Sequence, residues 1–557
     1  MEKRVVVFLV LSLAVILGYD LLLKQLGLIP PGAVDQEAPA DRAGNPPDPG
    51  LGSSDRGKGA PGAPLTTAQD STSRESSPPP SSIQARDQTV VIETDLIRVA
   101  VGARGGVISS WELKRLHTAP PEEKPVQLVH QGAGFKAPLS ITTSEQTSDK
   151  VLQEGLYAID TDVTSLDSAH PVGQVTMRFH DPASKLTVMK RLTFRQGSYL
   201  VDVALTVEGL SGGYDVVLGT NFGIVEWGDG FIGLIGSASL VDGKVEKETP
   251  DTELERKGAV QWVALQDKYF LSVLMPQGAS AALAKKEGEK LVSAGVRMPG
   301  AGDGRTTALQ LYAGPKEYDT LRSLNVGLEE TIDFGWFIFG SWSVVKAVAK
   351  PIFYVLRFLN DYTHNYGVTI ILLTMGIKLL FVPLQYKSYK SMKQMQMIQP
   401  RVLALQEKYK DDRDKLNKEL IKLYRDYKVN PVGGCLPMVL QMPVFVALFN
   451  ILYMTIDLRQ APFVGWITDL SVQDPYYVLP IIMGATMVIQ QKITPTTMDP
   501  TQAKIMLVLP VFMTFLFVNF PAGLVLYWLT NNVLTIGQQV LTDRLYANRP
   551  FIIEPAK

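Results

Sequence analysis

Residues 505–542 form a run of 38 consecutive residues without a charge, most of them apolar. As one helix this run would be about 57 Å long, nearly twice a hydrocarbon core of about 30 Å. It must fold back on itself. Asn519-Phe-Pro-Ala-Gly is the expected break, because proline cannot continue a helix and glycine readily ends one. Two more uncharged runs, 28 residues at 429–456 and 17 at 475–491, and an apolar stretch at 366–384 interrupted only by Lys378, bring the expected spans in the last third of the chain to five.

Apart from its first 29 residues, the rest of the 557-residue chain is too polar to be membrane-embedded. At the start, Lys3 and Arg4 precede about 19 mostly apolar residues with no small-x-small cleavage site, so residues 1–29 read as a retained transmembrane anchor rather than a signal peptide. Residues 31–82 contain ten Pro and seven Gly but only Val34, Leu51 and Leu65 as large aliphatics, which marks 30–87 as a Pro/Gly/Ser linker unable to offset its ordering entropy. From 88 to 325 the period becomes two. Val175, Met177 and Phe179 alternate with polar neighbours, as do Tyr199, Val201, Val203, Leu205 and Val207, with Gln196-Gly-Ser between them as a hairpin turn. An all-β sandwich of sequential strands is expected there. Residues 326–365 mix aromatics with Lys346, Lys350 and Arg357 at helical spacing, as an amphipathic helix on the membrane surface would; a connector packed on the β-domain is the alternative.

Charge orients the chain. Residues 385–430 carry 12 Lys/Arg against six Asp/Glu and belong in the cytoplasm, whereas 457–474 has Arg459 as its only basic residue and belongs outside. The assignments alternate consistently for a multi-pass protein with both termini in the cytoplasm, including a tail at 546–557, and with the β-domain on the opposite side. The basic segment reads as two amphipathic helices, about 387–408 and 414–428, broken near Asp411-Asp412, whose apolar stripes (Tyr386, Tyr389, Met392; Leu416, Leu420, Leu423) can pair. Its Lys387, Lys390, Lys393, Met395 and Arg401 are candidate docking residues for anionic lipid or ribosomal RNA, although a solvated helix face explains the charges as well.

Most catalytic chemistries are excluded. There is no P-loop motif; Gly300-Ala-Gly-Asp-Gly reads as a turn; the one cysteine, Cys435, has no nearby histidine; and five scattered histidines do not make a metal site. No enzyme activity, cofactor or metal is expected. With 54 Lys+Arg against 55 Asp+Glu, a global match to DNA is excluded too. Lys378 is the most informative residue. A cation in mid-span costs about 2.5–3.5 kcal/mol on the insertion scale, so it marks a wet cavity or a functional site unless its stem snorkels to the headgroups. Thr374, Gln441, Asn450, Gln490, Asn519, Thr530, Asn531 and Asn532 are uncharged polar residues of the spans, which either bond across helices or keep a cavity wet. No intramembrane carboxylate accompanies Lys378, so a site attracting anionic groups in transit is favoured over a proton relay.

Four strings carry a specific resemblance: Asn430-Pro-Val-Gly-Gly-Cys-Leu-Pro-Met-Val-Leu-Gln-Met-Pro-Val-Phe, Asp457-Leu-Arg-Gln-Ala-Pro-Phe, Leu470-Ser-Val-Gln-Asp-Pro-Tyr-Tyr-Val-Leu-Pro and Phe520-Pro-Ala-Gly-Leu-Val-Leu-Tyr-Trp. With them the region 366–545 resembles the YidC/Oxa/Alb family of membrane protein insertases, in the Gram-negative form with a large periplasmic domain; the anchor, linker and β-domain match by layout. The resemblance implies a periplasmic β-supersandwich and a five-helix core in the bacterial inner membrane, enclosing a hydrophilic cationic groove open to cytoplasm and lipid but closed outward. Lys378, Thr374, Gln441, Asn450, Tyr527, Trp528 and Asn532 would line that groove. It further implies insertion and folding of nascent membrane proteins without ATP hydrolysis, alone or with the Sec translocon, in contact with the ribosome and the signal recognition pathway. Two departures stand out: the family's groove cation is usually arginine where this chain has Lys378, and its last span often has tyrosine where this chain has Trp528. The competing readings are a secondary transporter, which predicts an internal repeat that the spans do not display, and an anchored envelope scaffold with a sugar-binding domain.

Overall fold

The structure is a computed structural model that describes residues 86–547 apart from short stretches, the longest being 226–234, 333–342, 430–435 and 494–499. The anchor at 1–29, nearly all of the linker, Cys435, the middle of the Gly300 turn and the chain beyond 547 lie outside the described residues.

The period-two region folds as sheets. One has nine antiparallel strands in the spatial order Lys244–Glu248, Gly236–Val241, Val260–Gln266, Phe270–Pro276, Thr306–Pro315, Leu200–Glu208, Leu186–Arg195, Val172–Asp181 and Ala158–Thr161. A second, five-stranded sheet packs against it with Val263, Ala282 and Ala284 between the two. A four-stranded sheet precedes both in sequence. Alternation decides which side chains turn inward: Val201, Val203, Leu205 and Val207 are buried, with half-buried residues between them. The strand Val260–Gln266 is buried on both faces, because Trp262 turns away from Val263 and donates its indole N–H to the Val326 carbonyl at 3.0 Å.

The turn Gln196-Gly-Ser joins Leu186–Arg195 to Leu200–Glu208, not the two strands that alternation marks most clearly. The strand Leu186–Arg195 lies between them and is disguised by Lys190, a cation in an inward position of an otherwise apolar row. Lys190 is 2% exposed, and its Nζ donates to the carbonyls of Gly105 (3.1 Å), Gly106 (2.8 Å) and Leu139 (2.8 Å). Burial pushes its ammonium down to about 7 from 10.5. Gly106 has φ +57, and a Cβ there would overlap the Tyr157 ring, so this loop needs glycine to bring its carbonyls to the ammonium.

Two short helices belong to the β-domain, α1 (Gln146–Glu154) and α2 (Tyr318–Ser323). The next, α3 (Ser343–Thr363), buries Val345, Ala349, Phe353 and Leu356. It is tied to α2 by a Tyr318–Tyr354 hydroxyl contact of 2.8 Å and an Arg357–Asp319 ion pair of 2.7 Å, while Tyr354, Val355, Phe358 and Tyr362 stay exposed. Packing on the β-domain and an exposed aromatic face therefore occur on the same helix.

Next comes α4 (Tyr366–Lys408), a single helix of 43 residues. The expected span at 366–384 and hairpin helix at 387–408 are one continuous helix, with Pro383 and Pro400 both inside it. Proline removes one N–H and its bond to the carbonyl four residues back, a loss that membrane helices tolerate. Helix α5 (Arg413–Asp426) starts after the expected break, where the Asp412 carboxylate accepts from Lys415 N at 3.0 Å. The pairing stripe differs from the expected one. Tyr386 is exposed and Tyr389 turns toward Asp543, so Ile398 and Val402 are the buried apolar residues at this end of α4, opposite half-buried Leu416, Leu420 and Leu423.

The remaining helices are α6 (Leu436–Met454), α7 (Val478–Ile493), α8 (Pro500–Phe517) and α9 (Ala522–Ala547). The 38-residue run divides at 518–521, where the sequence places its break. Among the described residues α4 alone is long and apolar enough to cross a membrane; Gln441–Met454, Val478–Ile493 and Val508–Phe517 are shorter apolar helices. The loop between α6 and α7 stitches neighbouring helix ends together. Ala522 N donates to Val472 O (2.7 Å), Gly523 N to Leu470 O (2.9 Å), and Phe463 covers Gly367, where a Cβ would overlap its ring. Gln460 Nε2 reaches the β-domain at His117 O, 3.0 Å away.

Candidate functional site

Along α4, Ile370, Thr374 and Lys378 recur every four residues and share the buried face, whereas Leu372, Leu379 and Leu380, which point away from it, are exposed. Lys378 is 7% exposed and its Nζ donates to Thr535 Oγ1 of α9 at 2.7 Å. It has no carboxylate within ion-pair distance among the described residues. A buried ammonium answered by a hydroxyl has no counter-charge beside it, so it can attract an anionic group that enters there.

Helix α9 supplies a polar row. Asn531 accepts from Gln441 Nε2 of α6 at 3.5 Å, Asn532 Nδ2 donates to Thr486 Oγ1 of α7 at 3.2 Å, and Thr535 receives Lys378. Two turns further on, Asp543 accepts from the Tyr389 hydroxyl and pairs with Lys393 Nζ at 3.2 Å. From Asn531 to Asp543 this seam rises about 18 Å along the helix. It links four helices by uncharged polar contacts at one end and by ions at the other.

The expected groove residues thus divide. Lys378, Gln441 and Asn532 meet α9 or its neighbours along the seam, and Thr374 lies one turn from Lys378 with its hydroxyl bonded back to Ile370 O (2.6 Å). Tyr527 and Trp528 belong instead to an aromatic cluster: Phe445 lies 6.1 Å from Tyr527 and 5.0 Å from Trp528, and Phe517 lies 4.7 Å from Trp528. Asn450 is fully buried one position from Phe449 of that cluster, which also packs on Phe520. Thr486, Thr535 and Asp543 were not singled out from the sequence. Thr486 and Thr535 carry no local signal that sets them apart from the other threonines of the spans, and only the spacing of 531, 535 and 539, each four apart on α9, marks one polar face.

Of the hairpin residues, Lys387 and Lys390 are exposed, Lys393 is held by Asp543, Met395 is half-buried, and Arg401 lies over the Tyr427 ring at 4.6 Å. The described residues contain no group of three or more His, Cys, Asp or Glu able to hold a metal.

The family profile described as 60Kd inner membrane protein matches residues 358–549, and that described as YidC periplasmic domain matches 89–355. The membrane protein insertase YidC of Syntrophus aciditrophicus is 38% identical, covering 98% of this chain and 100% of its own length. That of Geobacter metallireducens is 37% identical over 98% and 99%. A crystal structure of an active YidC insertase with its first transmembrane domain resolved aligns with a TM-score of 0.34 at 18% identity, covering 82% of this chain and 92% of that one. These relatives do not favour the transporter alternative. The mostly β region 89–355 is a periplasmic domain, the helices after it form the inner-membrane part, and the chain belongs to the YidC family of membrane protein insertases.

Proposed function

We propose that the seam around Lys378 is the cationic path by which short polar flanks of a substrate enter and cross the bilayer, in a core of five spans plus an N-terminal anchor, with both chain ends in the cytoplasm. The observation that carries this reading is the buried Lys378 ammonium, whose partner is a neutral hydroxyl. A substrate span of about 20 apolar residues gains roughly 6–12 kcal/mol on entering lipid, at about 0.3–0.6 per residue, so insertion runs downhill without ATP. The barrier lies in the polar flank, and a half-depth cation lowers it for acidic flanks. Helices α7 and α8, with 16 and 18 residues, would span about 24 and 27 Å against a core of about 30 Å, which thins the local bilayer and shortens the crossing.

The exposed Lys387 and Lys390 of α4 serve, in this reading, as contacts for the ribosome, the signal recognition pathway or anionic lipid at the cytoplasmic entrance, and the insertase works alone or beside the Sec translocon. Helix α3 lies at the outer surface of the membrane with Phe358 and Tyr362 toward lipid. The test is reconstitution in liposomes with single-span substrates graded in the acidity of their translocated flank. Lys378→Arg should insert like the parent, and Lys378→Ala should lose activity most for the most acidic flank. Equal insertion by all three proteins across the series would remove the role of the charge.

A further inference from the structure

The loop between α6 and α7 exposes apolar side chains. Val464, Trp466, Tyr476 and Tyr477 are 65%, 43%, 68% and 41% exposed. They are nevertheless held in place. Asp474, only 1% exposed, accepts from Trp466 Nε1 and Tyr476 N at 3.0 Å each through Oδ1, and from Leu479 N at 2.7 Å through Oδ2. The Trp466 and Tyr476 rings meet edge to face at 6.3 Å. One buried carboxylate thus satisfies the polar edge of the indole and leaves its apolar face outward, while also capping the first turn of α7.

The patch continues onto α7. Tyr477 lies one turn before Ile481, which is 61% exposed, and Ile482 beside it is 46% exposed. In a helix that crosses the membrane, a reading on which this inference rests, acyl chains cover such a face. The aromatic residues at its outer end then fall at headgroup depth, where Trp and Tyr are enriched.

We infer that this loop is a lipid anchor. Val464, Trp466, Tyr476 and Tyr477 sit in the glycerol and headgroup layer of the outer leaflet, and Asp474 is the positioning residue that fixes their outward pose. Because the anchor pins the outer end of α7, the shortfall of this 16-residue helix falls on the cytoplasmic leaflet.

The whole chain in phosphatidylcholine vesicles tests this by fluorescence quenching, with the Trp466 contribution taken as the difference between the parent and Trp466→Phe. Lipids brominated near the glycerol end should quench it more than lipids brominated near the methyl end, and more than aqueous iodide present on both sides. Dominant quenching by iodide would mean that the patch faces water, as it would if a protein partner covered it, and would overturn the anchor. Strongest quenching by deep bromines would place the ring in the bilayer interior and overturn it equally. Asp474→Asn should shift Trp466 toward iodide; if the variant does not fold, the parent measurement still decides. Quenching depth is read whichever way the loop faces, so an inverted topology, detected by labelling a cysteine at position 471 with an impermeant reagent, is a separate outcome.

Discussion

The β-domain and the helical core are built from opposite relations between side chain and solvent. In the β-domain Trp111, Trp262, Phe194 and Phe270 are fully buried, and the ladders leave polar residues such as Arg191 outside. In the core, beside buried aromatics such as Phe449 and Tyr527, many large apolar side chains point out, with Leu380 at 75% and Phe515 at 73% exposure, while Lys378, Asn532 and Gln539 lie inside. The difference teaches what each half is solvated by. Apolar burial drives folding in water, whereas between helices in lipid it gives little, and packing and polar contacts hold the bundle.

Truncation should break this symmetry most visibly. Trp262→Ala should cost about 3–5 kcal/mol and lower the melting transition of the purified protein in detergent, as a core cavity does. Phe515→Ala should stay within about 0.5 kcal/mol, like a surface change. Equal shifts from the two would mean that α8 packs on a neighbour rather than on lipid. A charge tests the same contrast from the other side. Leu372→Asp, on the exposed face of α4, should cost about 2.5–3.5 kcal/mol of membrane integration, seen as protein released by alkaline extraction. Val172→Asp, at 46% exposure on a β-domain strand, should be neutral to within about 0.5 kcal/mol in thermal melting.

The most gradual effect, read per pH unit, concerns Lys190, which the β-domain buries along with Lys316. The folded Lys190 titrates near 7 and the unfolded side chain near 10.5, so between these values the unfolded chain binds more protons. Stability of the β-domain should therefore rise with pH across that window, by at most about 1.4 kcal/mol per pH unit, and fall again as the pH drops toward 7. Lys190→Met should flatten the dependence in pH-resolved melts, since it leaves no group to titrate. An unchanged slope would assign the effect elsewhere.

Much of this arrangement is legible in the sequence because its signals are local. Alternation at 201–207, the uncharged run with its break near Asn519-Phe-Pro-Ala-Gly, and the isolated Lys378 each need only a few neighbours to be read. What escapes depends on partners far along the chain. Lys190 hides its strand because its acceptors are carbonyls 51 to 85 residues away. Thr535 and Asp543 are unremarkable until α4 brings Lys378, Tyr389 and Lys393 against them. The continuity of α4 is missed for a different reason: the sequence changes from apolar to basic near residue 385, and a change of surroundings does not by itself end a helix whose backbone bonds stay internal.

That continuity makes α4 a lever. At 43 residues it is about 65 Å long, and Arg401 lies 23 residues, or about 35 Å, beyond Lys378. The end at Tyr366 is clamped by Asn365, whose side-chain amide donates to the Phe463 carbonyl at 2.9 Å, and Tyr389 and Lys393 further along meet Asp543, so the end beyond Lys393 is the less tethered one. A swing of about 10° about the Tyr366 end would carry Arg401, about 53 Å away, by about 9 Å, while Lys378, about 18 Å away, would move about 3 Å. Force applied by a chain or particle at the tip would reach the buried ammonium scaled down in distance and scaled up in strength.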